Sequence, residues 1–331
     1  MIAEILLTIL APILLMIGLG VMLQVKFRLD LNSLSKLNIY LFTPAFIFHN
    51  VYLSRLPWSD MAAVAGITVF QSLALGALVW IGGKLLRVDR TTLAAVALAV
   101  MFYNSGNYGL PLAELAYPAR SATSGASAAS IKDGAAVQAF VVMTMNVLTF
   151  TVGMGIAAYA GAGDWRKAVK VILQMPTLYG LAAALGVRWW LSGDPSRVFP
   201  VVLAKPVEYL AAGLVPMALI TLGAQLGSNP RWPRWKPISA VLVLRLILAP
   251  MVMAGVLFLL HLSGWRALDL WPWPAELLIL TAAVPTAVNT LLLTLELKGD
   301  ATLAADCVFW TTVFSCLTIT LWLVVLRLLA G

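Results

Sequence analysis

Residues 97–114 read Ala-Leu-Ala-Val-Met-Phe-Tyr-Asn-Ser-Gly-Asn-Tyr-Gly-Leu-Pro-Leu-Ala-Glu. An apolar run meets Asn104, Ser105, Gly106, Asn107, Gly109 and Pro111, then turns apolar again. Glycine frees the backbone, and proline removes a donor while starting a new helix well. A lipid-facing helix does not gather breakers and amides in this way. The stretch predicts a half-helix to about Tyr103, an unwound piece, and a second half-helix from about Pro111. A second interruption lies at residues 280–289, Leu-Thr-Ala-Ala-Val-Pro-Thr-Ala-Val-Asn. There Pro285 and Thr286 open the second half-helix, and Asn289 follows one turn into it.

Both interruptions sit in a chain suited to lipid. Of 331 residues, 61% are hydrophobic and 11% charged, where an average soluble protein has about 25% charged. The mean hydropathy is +0.93. So few charges cannot coat a soluble globule, which argues against a cytosolic enzyme, a secreted disulfide scaffold or a disordered tail. A crossing needs about 20 apolar residues. Ten segments separate at charged or Pro/Gly-rich breaks: Ile5–Val25, Leu34–Leu53, Met61–Leu85, Thr92–Tyr117, Ala135–Ala160, Ala168–Leu191, Val207–Gly227, Pro237–Leu260, Ala275–Leu297 and Thr302–Leu328. The expected fold is all-α, a polytopic membrane protein with ten transmembrane helices. The first run reaches Val25 with no basic residue ahead of it, so it reads as a span and not as a cleaved leader.

The net charge is +8, but the basic residues are scattered through short loops, so nucleic acid is not an expected partner. One set of alternate loops is the richer, with Lys26, Arg28, Lys84, Arg87, Arg90, Arg166, Lys167, Lys170, Arg231, Arg234, Lys236 and Lys298. The other holds Arg55, Arg120, Lys132, Arg188, Arg197 and Arg266 among its fewer charges. The richer side should face the cytoplasm of a cell membrane, with both termini outside. The twelve tryptophans gather near segment ends, as an aromatic belt does.

The two halves resemble each other. At a nearly constant separation, Pro12 answers Pro176, Pro44 answers Pro216, Gln71 answers Arg245, Pro111 answers Pro285 and Gln138 answers Asp306. Residues 1–160 and 161–331 then form two repeats of five segments, the second inverted because five is odd. Inverted repeats mark alternating-access secondary transporters, whose site lies where matching helices are broken. Unwound backbone at membrane depth survives only where protein or a cavity satisfies it. The starts of the second half-helices present open N–H groups and partial positive charge. Two such ends meeting make an anion site at Asn104, Asn107, Pro111, Pro285, Thr286 and Asn289. Simple proline kinks, with asparagines joining helices, are the alternative. No Asp or Glu lies in residues 100–112 or 280–292. A cation antiporter of this general design needs carboxylates there, so an anionic or neutral solute is expected.

Other polar residues lie within the segments. Arg245 and Asp306 both start from the cytoplasmic side, and an unpaired charge at a helix centre costs about 2.5–3.5 kcal/mol. They are expected to pair or to share a polar network, with Asp306 the candidate for proton or cation coupling. Gln138 and Asn146 would face the breaks or join helices. His49 and Asn50 read as structural. Cys307 and Cys316 read as small buried residues, with neither metal nor disulfide spacing.

Asn104–Pro111, Pro285–Asn289, Leu37 with Pro44 and Ala45, and Pro216–Gly223 resemble, in this order, the auxin efflux carrier family. That family includes the plant auxin carriers and bacterial permeases for dicarboxylates such as malate and malonate. The resemblance spans all ten segments. It implies crossover helices 4 and 9 meeting at their prolines, with a substrate carboxylate held beside Asn107 and Asn289. It implies a scaffold of segments 1, 2, 6 and 7 that forms a homodimer, and a transport domain of segments 3–5 and 8–10 that moves as an elevator. Residues near Pro44 would line the substrate path. Gly161–Lys167 replaces the long loop of the plant carriers, so the chain is similar to compact bacterial members.

The expected function is secondary or potential-driven transport of small organic anions. An inside-negative potential favours their export. A sodium- or proton-coupled symporter of another solute on a related fold is the alternative. The sequence has no Gly-x-x-x-x-Gly-Lys loop for ATP. It also lacks the paired carboxylates or His-rich cluster of a membrane enzyme. Neither enzymatic activity nor a cofactor or metal is expected.

Overall fold

The computed structural model of the chain describes residues 7, 11–53, 57–117, 134–160, 176–192, 198–228, 233–296 and 299–330. These residues are helical throughout, apart from turns and one antiparallel bridge between Tyr103 and Thr286. In order they form α1 (Ala11–Phe27), α2 (Leu31–Leu37), α3 (Thr43–Leu53), α4 (Trp58–Leu85), α5 (Arg90–Met101), α6 (Leu110–Ala116), α7 (Gly134–Leu148) and α8 (Met154–Ala160). Then follow α9 (Pro176–Ser192), α10 (Val201–Ser228), α11 (Trp235–Val243), α12 (Ala249–Ser263), α13 (Ala275–Ala282), α14 (Val288–Glu296) and α15 (Ala301–Ala330). Single π-helical turns join α2 to α3 (Asn38–Phe42), lead into α6 (Ser105–Gly109), join α7 to α8 (Thr149–Gly153) and join α11 to α12 (Leu244–Leu248).

Among the described residues, five continuous helical stretches are long and apolar enough to cross a membrane: Trp58–Leu85, Gly134–Ala157, Val201–Ser228, Trp235–Ser263 and Ala301–Leu329. Large apolar side chains such as Leu15, Ile81, Val202, Leu259 and Leu317 stand exposed on the exterior. A surface of that kind suits lipid and not water, as expected of a multi-pass membrane protein. The start of the first apolar run, residues 120–133, the link 161–167 and the loop charges Arg55, Lys170, Arg197, Arg231 and Lys298 lie outside the described residues.

Local chemistry sets the helix ends. Asp30 caps α2 and Asp89 caps α5, each accepting from a backbone N–H two or three residues on. Gly264, at φ 69, closes α12 in the left-handed region that glycine tolerates. Pro250 has no N–H to return to Leu246. The Trp322 indole donates to the Leu246 carbonyl instead, at 3.1 Å. That bond ties α15 to α11 and α12.

Packing sorts the helices into two groups. In one, α1 lies along α10 and α3 along α9. Gly20 and Gly223 let α1 and α10 touch backbone to backbone. A methyl on Gly20 would strike the Ile220 carbonyl, and one on Gly223 the Ile17 carbonyl. Close contact through small residues holds helices together where lipid supplies no hydrophobic drive. In the other group, α4 packs on α5 and α7, α12 on α13, and α11 on α15. The two interrupted segments run through this second group.

Candidate functional site

The helix α5 stops at Met101 and α13 at Ala282. The extended pieces beyond them pair. The Ala287 N–H donates to the Phe102 carbonyl at 2.9 Å, and the Asn104 N–H to the Pro285 carbonyl at 2.7 Å. Each break thereby supplies the backbone partners that the other lacks, as unwound chain at membrane depth requires. Winding resumes earlier than the sequence predicts, at Ser105 and not at Pro111. Asn104 makes this possible. Its side-chain Oδ1 accepts from the Asn107 N–H at 3.1 Å and its carbonyl from the Gly109 N–H at 2.9 Å. Pro111 then sits in the first turn of α6. In the second break, winding resumes at Val288, three residues past Pro285.

Two buried side chains hold the breaks. Arg245 projects from its π-helical turn, fully buried. Its guanidinium donates to the carbonyls of Val100 at 2.8 Å, Val284 at 3.2 Å and Ala282. Val100 and Ala282 lie at the ends of the two first half-helices, where the helix dipoles are negative, and Val284 lies in the second break. Gln138 of α7 donates to the Ser105 carbonyl at 2.8 Å and accepts from the Thr281 hydroxyl at 2.8 Å. It thus joins the π-helical turn to α13.

A cavity of about 220 Å³ opens beside the breaks. One wall is the break region, with Asn104, Asn107 and Asn289; α7 and the turn after it add Asn146 and Thr149. A further part of the lining comes from the first helix group, with Asn38, Thr43, Thr177 and Gln225. No charged side chain lines it among the described residues. Asn104 is 6% exposed, and its Nδ2 has no hydrogen-bond partner.

Other candidate residues lie off the cavity lining. Pro111, Pro285 and Thr286 are not among the residues that line the cavity. The Thr286 N–H donates to the Thr311 hydroxyl at 3.0 Å and its hydroxyl to the Ala99 carbonyl at 2.9 Å. Both its donors are therefore spent within the protein. Pro44 also misses the cavity, because it packs against Gly180 of α9. Arg245 and Asp306 form no ion pair with each other among the described residues. The three break carbonyls take the guanidinium, and Asp306, buried on α15, has contacts of its own. Among the described residues no group of three or more His, Cys, Asp and Glu is placed to hold a metal.

Sequence reasoning missed Asn38 and Gln225. Asn38 is 1% exposed, and its Nδ2 donates to the Thr221 hydroxyl oxygen at 2.9 Å. Gln225 reaches toward the Ser35 hydroxyl at 3.4 Å. The signal was present, an amide inside the apolar run from Leu34 to Leu53.

The family model described as "Membrane transport protein" matches residues 5–323. Two archaeal proteins, each named "Uncharacterized transporter", are similar to this chain. The one from Methanothermobacter thermautotrophicus is 27% identical over 300 residues, covering 90% of this chain and 89% of its own. The one from Methanocaldococcus jannaschii is 23% identical over 296 residues, covering 87% of each. A Rhizobium meliloti protein named "Putative malonate transporter" is 28% identical over 305 residues, covering 87% of this chain and 85% of its own.

Proposed function

The chain belongs to the auxin efflux carrier family of membrane transport proteins, and from that premise we propose that it carries small organic anions, its substrate carboxylate resting against Asn104, Asn107 and Asn289. The observation that carries this reading is the cavity wall. It offers amide groups and helix starts, with a partnerless Asn104 Nδ2 and, among the described residues, no lining carboxylate to repel an anion. The buried Arg245 charge, turned toward both breaks, adds positive potential without offering a direct ligand. A volume of about 220 Å³ is below the roughly 300–1,000 Å³ typical of drug-sized ligands, which favours a small acid. The name of the Rhizobium meliloti relative points to the same class.

Transport proceeds in this reading by an elevator motion in a ten-span fold of two inverted repeats, residues 1–160 and 161–331. The packing of α1 on α10 and of α3 on α9 supports the repeat, since exchanging the two halves turns one pairing into the other. Segments 1, 2, 6 and 7 serve as the dimeric scaffold, and segments 3–5 and 8–10 move with the crossed breaks. Both termini face away from the cytoplasm. Asp306, off the cavity wall, is the candidate for ion coupling.

The test is electrical. Purified protein in liposomes on a solid-supported membrane is challenged with mono- and dicarboxylates, without a sodium or pH gradient. A current for one acid, lost in Asn289→Ala, is the expected result. Silence under all gradients, together with no binding of any acid, would overturn the proposal.

A further inference from the structure

Among the described residues, four that line the cavity carry a buried polar atom without a hydrogen-bond partner: the Asn104 Nδ2, the Tyr103 hydroxyl, the Asn38 Oδ1 and the Gln225 Oε1. One is the Asn104 Nδ2, on the wall made by the breaks. Its identity as the amide nitrogen follows from the other end of the side chain, which accepts the Asn107 N–H and must therefore be oxygen. A second is the Asn38 Oδ1, on the part of the lining contributed by the first helix group. Its identity is fixed in the same way. The Thr221 hydroxyl spends its hydrogen on the Met217 carbonyl at 2.7 Å, so it accepts from Asn38, and the atom facing it must be Nδ2. Gln225, also on that part of the lining, has an Oε1 with no donor. The break region thus contributes an unpartnered amide donor, and the first helix group contributes unpartnered acceptors. A buried acceptor without a partner costs free energy until a ligand supplies the donor.

From this we infer that Asn38 and Gln225 form a second subsite, which takes a hydrogen-bond donor on the substrate. The inference rests on the carboxylate reading of the Asn104 wall. The substrate is then an acid monoanion with an O–H or N–H group opposite its carboxylate, such as a half-protonated dicarboxylic acid or a hydroxy acid. A dianion would set its second carboxylate against oxygens that have nothing to donate. Among the described residues the lining contains no Asp, Glu, His, Lys or Arg, and in this reading a proton that accompanies a dicarboxylic acid travels on the acid itself.

Matched ligands test this on the full chain in lipid nanodiscs, with binding measured by calorimetry at one pH. Malonamate and monomethyl malonate are both monoanions of similar size, but only malonamate keeps a donor. 3-Hydroxypropionate and 3-methoxypropionate form a second such pair. In the wild type each donor-bearing acid should bind roughly tenfold to a hundredfold more tightly than its partner. The ratio should fall toward one in Asn38→Leu, and in Gln225→Leu should Asn38→Leu fail to fold. Equal affinities within both pairs in the wild type overturn the donor subsite while leaving the carboxylate site standing. Failure of all four acids and of malonate to bind overturns the carboxylate reading as well. The wild-type comparison decides the matter without any variant.

Discussion

The guanidinium carbon of Arg245 stands 4.7 Å from the centroid of the Tyr103 ring. Tyr103 is the residue that opposes Thr286 in the bridge between the two breaks. The buried cation therefore contacts the pairing it holds through an aromatic face as well as through three carbonyls.

Arg245→Met should destabilise the protein severely. It removes the donors from the Val100, Val284 and Ala282 carbonyls, and each buried acceptor left open costs about 1–3 kcal/mol. Arg245→Lys keeps the charge but not the planar fork, so it should fall between. Thermal unfolding in detergent gives the order wild type, Lys, Met. A Met variant as stable as the wild type would show that the carbonyls do not depend on the guanidinium.

Gly20→Ala and Gly223→Ala should each force α1 from α10, at about 1–3 kcal/mol of overpacking. The control is Gly18→Ala on the same helix, where a methyl meets nothing within 4 Å. Its expected effect is neutral or stabilising by about 0.5–1 kcal/mol. Melting temperatures of the three variants separate close packing from a general aversion to alanine.

Gln138 and Thr281 should be coupled. Gln138→Leu leaves the Ser105 carbonyl and the Thr281 hydroxyl without partners. Thr281→Val removes only the second bond. A double-mutant cycle on stability should yield a coupling of about 0.5–3 kcal/mol. Strict additivity would mean that the shared hydrogen bond contributes nothing to holding the break.

Acid should weaken the start of α5. The Thr92 backbone N–H and the Thr91 hydroxyl hold the Asp89 carboxyl down at about 2, below its ordinary value of about 3.9. A depressed folded-state value means stability that is complete above the ordinary value and lost as the pH falls through about 2. Asp89→Ala should cost about 1 kcal/mol at neutral pH. It should also flatten the melting temperature between about pH 4 and 2, the interval set by the two values. An unchanged acid slope in the variant would assign that slope to other carboxylates.

The apolar runs were legible because membrane helices declare themselves by length and composition. The breaks were legible because glycine, proline and amides have fixed effects on a backbone. Where a side chain spends its hydrogen bonds was not legible. Thr286 looked like a site residue, but its partners Ala99 and Thr311 come from distant helices. Arg245 looked like a mate for Asp306, because pairing opposite charges is the simplest local rule. No local rule anticipates that three carbonyls of two broken helices would converge on one guanidinium. Asn38 was passed over for Pro44, since a proline marks a kink in sequence while an amide shows its role only beside Thr221.

The bridge at Tyr103 and the clamp at Arg245 deny the two breaks any independent travel. Mechanically they are one part. On the proposed transport function, a solute enters and leaves along the seam between that part and the wall bearing Asn38. Under the proposed two-sided hold, parting the seam stretches the solute until one grip lets go, and the grip that lasts longer decides with which body it leaves.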